Sequence, residues 1–446
     1  MSVEADWFLR AHPDITTIEA LLPDCNGVMR GKWLPRHKLA KVYQGEFKLP
    51  LTALSLDIWG RDVEELVFET GDADGICRPV EGSLHPTPWA GGNHGQVMVS
   101  LYNTDETPYA GDPRHVLKKV LTRCHNAGWR PVVAAELEFS LVTYNVDGIR
   151  HSCPLPAGHS PIGGNTYGVD VLQTHSQLLE DIRLACELQE LPFDGIVKES
   201  APSQYEINMQ HVDNPVLAAD QIQLMKRVIK GVAASHGLIA SFMAKPFDNE
   251  AGNGMHVHCS LLDERGDNLF DSGTPEGTPM LRHAIAGCME FMDQSMAIFA
   301  PNYNSYRRFQ PGAHAPIAPS WGYENRTVSV RVPAGKNASR RLEQRVAGAD
   351  ANPYLLFAVL LSAIVDGIEQ RLDPGEPVTG DGYKGPQNLL PLYLPESIRL
   401  FEQSDFIQRN MGSELQRIYA LSKWQENAEF RATTTELEYR SYLERL

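Results

Sequence analysis

No CxxC pair occurs in the 446-residue chain, and its seven cysteines (Cys25, Cys77, Cys124, Cys153, Cys186, Cys259 and Cys288) are scattered and odd in number. That pattern excludes a disulfide framework and a zinc knuckle, and it fits a reducing cytoplasm. Long apolar stretches are also missing. No uninterrupted run approaches the roughly 18 residues that a membrane-spanning helix needs, and the opening MSVEADWFLRAHPD is charged rather than signal-like. The expectation is a cytoplasmic protein with no membrane partner. Basic residues are few: 40 Lys and Arg stand against 56 Asp and Glu, a formal charge of -16. Such a balance disfavours nucleic acid or an anionic membrane surface as a partner. Repeats and low-complexity tracts are absent as well. With 42% hydrophobic residues the chain reads as globular, long enough for two or three domains.

What is present centres on PVVAAELEFSLVTY, residues 131 to 144. Val133, Ala135, Leu137, Phe139 and Leu141 alternate with Glu136, Glu138 and Ser140, the signature of a half-buried strand. Side chains two apart on a strand point the same way, so Glu136 and Glu138 project together and require a compensating cation. The pattern recurs. QYEINM puts Glu206 and Asn208 on one face. GMHVHCSL sets His256, His258 and Ser260 against Met255, Val257, Cys259 and Leu261. RTVSVRV sets Thr327, Ser329 and Arg331 against Val328, Val330 and Val332. Four such strands predict one curved sheet whose polar face lines a cavity rich in metal-ligand types.

Taken in order, the chain predicts a short amphipathic helix, then a hairpin in TTIEALLPDCNGVMRGKWLP that turns at Asp24 to Gly27, where Asn26 and Gly27 can accept positive φ. Short strands in ALSLDIW and GQVMVSLY complete a small β-rich domain ending near residue 105. Asp112 caps a helix with Pro113 at its first position and Gly128 just past its end. Beyond the Glu136 strand come a loop over 145–168, helices near 174–190, 215–236 and 280–299, and a structureless run, PNYNSYRRFQPGAHAPIAPSWGYENR. A run that long inside a compact domain usually has a task, and around Gln310 to Pro319 it can fold over a cavity as a flap. An apolar helix opens at Asn352 and Pro353 and runs to about residue 371, and the C-terminal segment is helical.

Collected together, Glu136, Glu138, Glu199, Glu206, His256 and Glu343 are hard or borderline metal ligands. Arg308, Arg326, Arg331, Arg341 and Arg345 are anion partners. Carboxylate-rich sites with one imidazole suit Mg²⁺ or Mn²⁺ better than zinc, and arginines suit phosphate and carboxylate. Metal and arginines around a transferring phosphate are the apparatus of phosphoryl transfer.

At these residues the sequence resembles the type I glutamine synthetases, and within them the γ-glutamylpolyamine (glutamylputrescine) synthetase-like branch. The resemblance rests on ELEF, ESAPSQYE, AKP followed by GNGMHVHCSL, NSYRRFQPG, ENRTVSVRVP, RRLEQR and AGADANPYL, in the family's order over nearly the whole chain. It implies an α+β protein with an N-terminal β-grasp domain (1–105) and a catalytic domain (106–446) built on a funnel-shaped antiparallel barrel with surrounding helices. It further implies a dodecamer of two stacked hexamers, each active site completed by the neighbour's N-terminal domain.

By position in the motifs, Glu138, Glu199 and Glu206 match the ligands of one metal, and Glu136, His256 and Glu343 those of a second. Arg308, Arg345 and Gly252 match glutamate-binding positions. Arg326, Arg331, Arg341, His258 and Ser260 match nucleotide or phosphate contacts. The implied reaction is ATP-dependent: the γ-carboxylate of L-glutamate is phosphorylated, and an amine then attacks the acyl phosphate. Arg345 and Arg326 are the expected charge-stabilising groups.

Two departures bear on the amine. Relatives that use ammonia carry a glutamate in the flap where PGAHAP places His314, and an asparagine where this chain has Ala251. An ammonium cage thus lacks one anionic wall, and the resemblance implies an organic amine, with glutamine synthesis from ammonia as the alternative and a non-catalytic homologue as the third. His314 is a candidate base. Asp57, in LSLDIW, falls where a neighbour's amine-site aspartate is expected. Tyr393, in LPLYLPES, does not reproduce the spacing of the adenylylated pattern.

Overall fold

The computed structural model of the protein describes residues 2–146, 148–151, 165–384 and 388–446. Most of the expected 145–168 loop, with Cys153, lies outside these residues. Its first part is not loop: Gly148–His151 is a strand that pairs back on Val142 to Asn145.

The N-terminal hairpin forms as expected, Thr17–Pro23 against Met29–Pro35 in register from Thr17 opposite Pro35 to Pro23 opposite Met29. Its turn is fixed by Asp24, whose carboxylate accepts from the Asn26 and Val28 amides, an Asx-type bond that replaces missing ladder partners. Gly27 alone takes the left-handed conformation there, at φ 72°, and Asn26 does not. Thr17–Pro23 runs parallel to His94–Tyr102, which continues antiparallel to Asp74–Pro79, so a small mixed sheet with flanking helices makes up this part.

ALSLDIW does not form a strand. Leu51–Leu54 is a 3₁₀ turn, and Asp57 then accepts hydrogen bonds from the amides of Trp59 and Arg61. Local side-chain acceptance of this kind competes directly with sheet pairing and wins when no strand is positioned alongside.

The larger sheet has nine strands among the described residues. Its main path runs Trp321–Tyr323, Val330–Val332, Leu342–Gln344, Met255–Leu262, Arg130–Asn145, Gln204–Met209 and Phe193–Lys198. It is antiparallel and barrel-like except at one edge, where Trp321–Tyr323 and Val330–Val332 are parallel. All four expected polar-faced segments enter it. The last is shorter than its alternation suggests: only Val330–Val332 joins the ladder, because the Thr327 hydroxyl bonds to Asn325 and Gly380, and that of Ser329 to the Ala318 carbonyl.

Helices cover the apolar face. Asp112 caps Pro113–Asn126 by accepting from the Arg114 amide. Pro215–Ser235 starts on an Asn214 cap. The expected 280–299 helix is two, Pro279–Glu290 and Met292–Phe299, interrupted at Phe291. Pro353–Glu369 is buried on every side from Pro353 to Gly367 and forms the centre of the main core, as an all-round apolar helix must. Phe8, Ile18, Leu39, Val97 and Leu101 belong to a separate N-terminal core, while Cys25, Val63, Leu66, Val80 and Met98 pack into the main one. No helix among the described residues is long and apolar enough to cross a membrane.

Candidate active site

Strand register assembles the acidic cluster. Glu206 lies directly opposite Glu138, and Asn208 opposite Glu136, across one ladder. On the other side of the same strand His256 lies opposite Glu136, His258 is opposite Glu343 on the next ladder, and Glu343 is opposite Arg331 on the one after. Directly opposite residues on one face are the closest contacts a sheet offers. Residues from five strands, spread from Glu136 to Glu343 in the sequence, therefore form a continuous polar row.

Hydrogen bonds lock this row. Glu136 meets His256 Nδ1 at 3.1 Å and His258 Nε2 at 2.9 Å. Arg341 Nε donates to His258 Nδ1 at 3.1 Å; an arginine can only donate, so Nδ1 is the accepting nitrogen of that ring. Glu343 is fully buried between Arg331, at 2.8 Å, and Arg345. Glu138 accepts from the Gly254 amide at 2.5 Å and from Gln204, and Asn208 donates to Glu206 at 2.7 Å.

Two cavities open from this row. One, of about 510 Å³, is lined by Glu136, Glu138, Glu199, Glu206, His256, Gly252, Ala251, Arg308, Arg326, Arg345 and His314 among others. The other, of about 790 Å³, is lined by His258, Ser260 and Arg341. They share Glu136 and Asn208 as a common wall. The residues matched to glutamate contacts thus fall in the first cavity, and three of those matched to nucleotide contacts in the second. Arg326 lies in the first, with the carboxylates. Arg331 lines neither and is engaged with Glu343 and, at 3.7 Å, Glu324.

Backbone details shape the first cavity. A side chain at Gly252 would place its Cβ 2.2 Å from the Ala244 carbonyl and 3.1 Å from Arg308 Cγ, so only glycine brings the chain this close to the arginine. Arg308 is buried and spends one nitrogen on the Val346 carbonyl at 2.7 Å. Arg345 keeps a buried Nε with no partner among the described residues. His314 holds a left-handed φ of 55° at the cavity wall.

Asp57 is not among the cavity residues. It is fully buried, and besides the two amides its carboxylate accepts from Arg61 Nε and Gln425 Nε2, each at 2.9 Å. Burial acts to raise its pKa, and the bonds from Gln425 and Arg61 outweigh that and hold it below the usual value.

The carboxylates of this row crowd one another in a buried setting. Burial pushes Glu138 up to about 7 against the pull of Arg308. Burial together with the charges of Glu136 and Glu138 pushes Glu206 up to about 9, and burial raises Glu199. Glu136 stays low because its bonds to His256 and His258 outweigh burial. Burial, reinforced by Arg345, pushes His256 down to about 4, so it is a neutral imidazole free to ligate. Clustered carboxylates with one neutral imidazole are a donor set that fits Mg²⁺ or Mn²⁺.

Among the described residues, two groups bring ligand atoms within 4.8 Å of one another: Glu136, Glu206 and His256, and Glu136, His258 and Glu343. Glu136 is thus the hinge of both, which cuts across the division into two sets of three drawn from the motifs. Gln204, which bridges Glu138, the Gly252 carbonyl and Asn253, escaped the sequence reading although it sits two residues before Glu206 on the same face. Tyr167, also at the cavity wall, carries no periodic signal because it lies in a turn.

A buried acidic row between two cavities, with arginines on both sides, is the kind of site that suits an enzyme acting on anionic groups such as phosphate and carboxylate. The model for the glutamine synthetase catalytic domain matches residues 110–442, and the chain belongs to the glutamine synthetase family. It is 37% identical over 441 residues to the gamma-glutamylputrescine synthetase PuuA of Escherichia coli (strain K12), covering 98% of this chain and 93% of that protein. To the gamma-glutamylethanolamide synthetase GlnA4 of Streptomyces coelicolor it is 33% identical, covering 100% and 96%. Among solved structures, a GmaS/ADP complex superposes with a TM-score of 0.86 at 27% identity, over 100% of both chains.

Proposed function

We propose that this protein is an ATP-dependent ligase that joins the γ-carboxylate of L-glutamate to an organic amine through a γ-glutamyl phosphate. The observation that carries the reading is the common wall: Glu136 and Asn208 face both the cavity of Arg308, Arg345 and Gly252 and that of His258, Ser260 and Arg341. Glutamate in the first and ATP in the second would meet across it.

In this reading Arg308 and the Gly252 backbone orient glutamate, while Arg345 and Arg326 stabilise charge on the phosphoryl group as it passes to the γ-carboxylate oxygen. His258, Ser260, Arg341 and Arg331 serve the nucleotide side, Arg331 by fixing Glu343. Two or more Mg²⁺ or Mn²⁺ ions held by Glu136, Glu138, Glu199, Glu206, His256 and Glu343 would screen the charges of phosphate and carboxylate. The amine nitrogen then attacks the acyl carbon and phosphate leaves. An alkylamine is protonated near pH 7, so a base must take its proton; His314, which lines the cavity, is our candidate, with Asp57 of a neighbouring subunit as the alternative.

Ala251 and His314, the two departures from the ammonia-using pattern, line the same cavity. That coincidence favours an alkyl tail over ammonium, since each methylene buried there contributes about 0.8 kcal/mol. A phosphate-release assay with ATP, glutamate and a panel of ammonia, monoamines, diamines and polyamines is expected to give the highest kcat/KM with an organic amine. His314→Glu should shift preference towards ammonia; equal use of ammonium and every amine by the wild type would leave glutamine synthetase as the better name.

The same reading places the protein in the cytoplasm as two stacked hexameric rings, with the N-terminal unit ending near residue 105. The buried Asp57 orders the 56–61 loop, and that loop, brought by a neighbouring subunit, would close the amine end. Leu437, Tyr439 and Tyr442 on the C-terminal helix Glu436–Tyr442, and Leu443 just past it, are exposed apolar side chains in the single chain, which supports self-association. Sedimentation velocity is expected to return the mass of a dodecamer, and a monomer at working concentration would remove this part of the reading.

A further inference from the structure

Away from the acidic row, a crevice of about 330 Å³ lies between the tip of the N-terminal hairpin at Gly27–Met29, Trp89, and the middle of the Pro215–Ser235 helix. Its charged lining is Lys226, Arg227 and Lys230, with no acidic side chain, in a protein whose net charge is -16. We propose that this crevice binds a small organic polyanion of the di- or tricarboxylate class, gripped by Lys226, Lys230 and the side-chain amide of Gln223.

Three observations point to such a ligand. Arg227 is already satisfied, donating to Gln96 at 2.7 Å and pairing with Glu19, whereas neither lysine forms an ion pair among the described residues. Lys226 is 9% exposed, and its hydrogen bond is to the Ala351 carbonyl at 3.1 Å. The Phe242 ring, 5.7 Å from its ammonium, and the more distant Asp350 charge offset only part of the cost of burying it. Burial and the neighbouring Lys230 charge push it down to about 7, and a bound anion would relieve both.

Second, Gln223 is 2% exposed and its Nε2 is a buried donor without a partner among the described residues. It lies beneath the hairpin turn, 3.0 Å from where a Cβ on Gly27 would stand. Buried donors are rarely left unpaired without a reason. Third, the spacing suits two anionic groups on a short carbon chain. Lys226 and Lys230 are one helical turn apart, which puts neighbouring side chains about 5–6 Å apart, and the Trp89 ring packed on Gly231 gives the crevice a flat apolar wall.

The position gives occupancy a consequence. Lys226 holds the Ala351 carbonyl; the Asn352 amide beside it donates to the Asp24 and Cys25 carbonyls of the hairpin turn. On the other side Asp350 accepts from Asn302 and Ser305, at the start of the turn that carries Arg308. A ligand in the crevice therefore ties the N-terminal hairpin to the segment behind the glutamate-side arginine.

The test is titration calorimetry on the full-length protein with citrate, succinate and inorganic phosphate in turn, in a low-salt buffer free of other polyanions. The expected result is saturable binding of a carboxylate probe, weakened about tenfold or more by Lys226→Met and by Lys230→Gln, with melting temperatures of the unliganded variants close to wild type. Because the active-site arginines also attract anions, Arg341→Gln is the control and is expected to leave this binding unchanged. Should Lys226→Met fail to fold, Lys230→Gln at the exposed rim carries the result alone. Equal affinity in wild type and both lysine variants, loss of binding in Arg341→Gln, or binding of phosphate without either carboxylate would each overturn the proposal.

Discussion

Replacing Glu138 with alanine is expected to lower kcat by at least 10³-fold, the equivalent of about 4 kcal/mol of transition-state stabilisation, without unfolding the protein. Glu138 is buried opposite Glu206, both carboxylates have raised pKa values, and the stable company for such a pair is a divalent cation. Removing one ligand leaves the remaining carboxylates less repelled but the metal poorly held, so activity falls while stability does not.

Chelator-treated wild type should carry the complementary signature. A carboxyl whose pKa is raised on folding binds more protons in the native than in the unfolded state, so stability is full below the ordinary value of 4.5 and falls as pH rises towards about 7 for Glu138 and about 9 for Glu206. Thermal melts in EDTA are expected to decline across that window, and added Mg²⁺ or Mn²⁺ should restore them. Near-normal turnover by Glu138→Ala, or a melting temperature indifferent to both pH and metal, would remove the metal assignment from this row.

Arg345→Lys is expected to cost about 10²-fold in kcat/KM although it conserves the charge. The guanidinium is 3% exposed, one of its nitrogens is committed to Glu343, and its buried Nε has no acceptor among the described residues. A planar fork can hold Glu343 and a substrate oxygen at once; an ammonium on a flexible stem cannot reproduce that geometry, and charge-assisted hydrogen bonds of this type are worth about 1.5–3 kcal/mol. Steady-state kinetics with glutamate varied will separate the roles. Loss confined to KM assigns Arg345 to glutamate binding, and loss in kcat assigns it to phosphoryl transfer. Unchanged values for both would make it a structural partner of Glu343.

Much of this site is legible before any fold is known. The alternation in PVVAAELEFSLVTY, QYEINM and GMHVHCSL separates ligand types from core residues, and each segment became a strand with its apolar side in the main core, because burying one face of a pleated strand leaves a side chain little choice of direction. The Asp112, Asn214 and Asn352 caps are equally local, each satisfied within three residues.

Register is not local. That Glu206 stands opposite Glu138, and His256 opposite Glu136, depends on ladders between segments separated by long connections, and a slip of one residue would turn every side chain to the other face. Nor does alternation reveal what a strand has for a neighbour: ALSLDIW has the composition of a strand, yet Asp57 closes a turn there, and what lies alongside is the Ser413–Ala432 helix, whose Gln425 and Glu426 side chains bond to Asp57 and the Ile58 amide. The crevice of Gln223, Lys226 and Lys230 is more remote still from the sequence, where the lysines read as the polar face of a helix. Composition and period determined which residues face the core and which chemistry the chain could perform. Only the tertiary structure decided which of those residues meet, because meeting depends on the packing of segments that are distant in sequence and near in space.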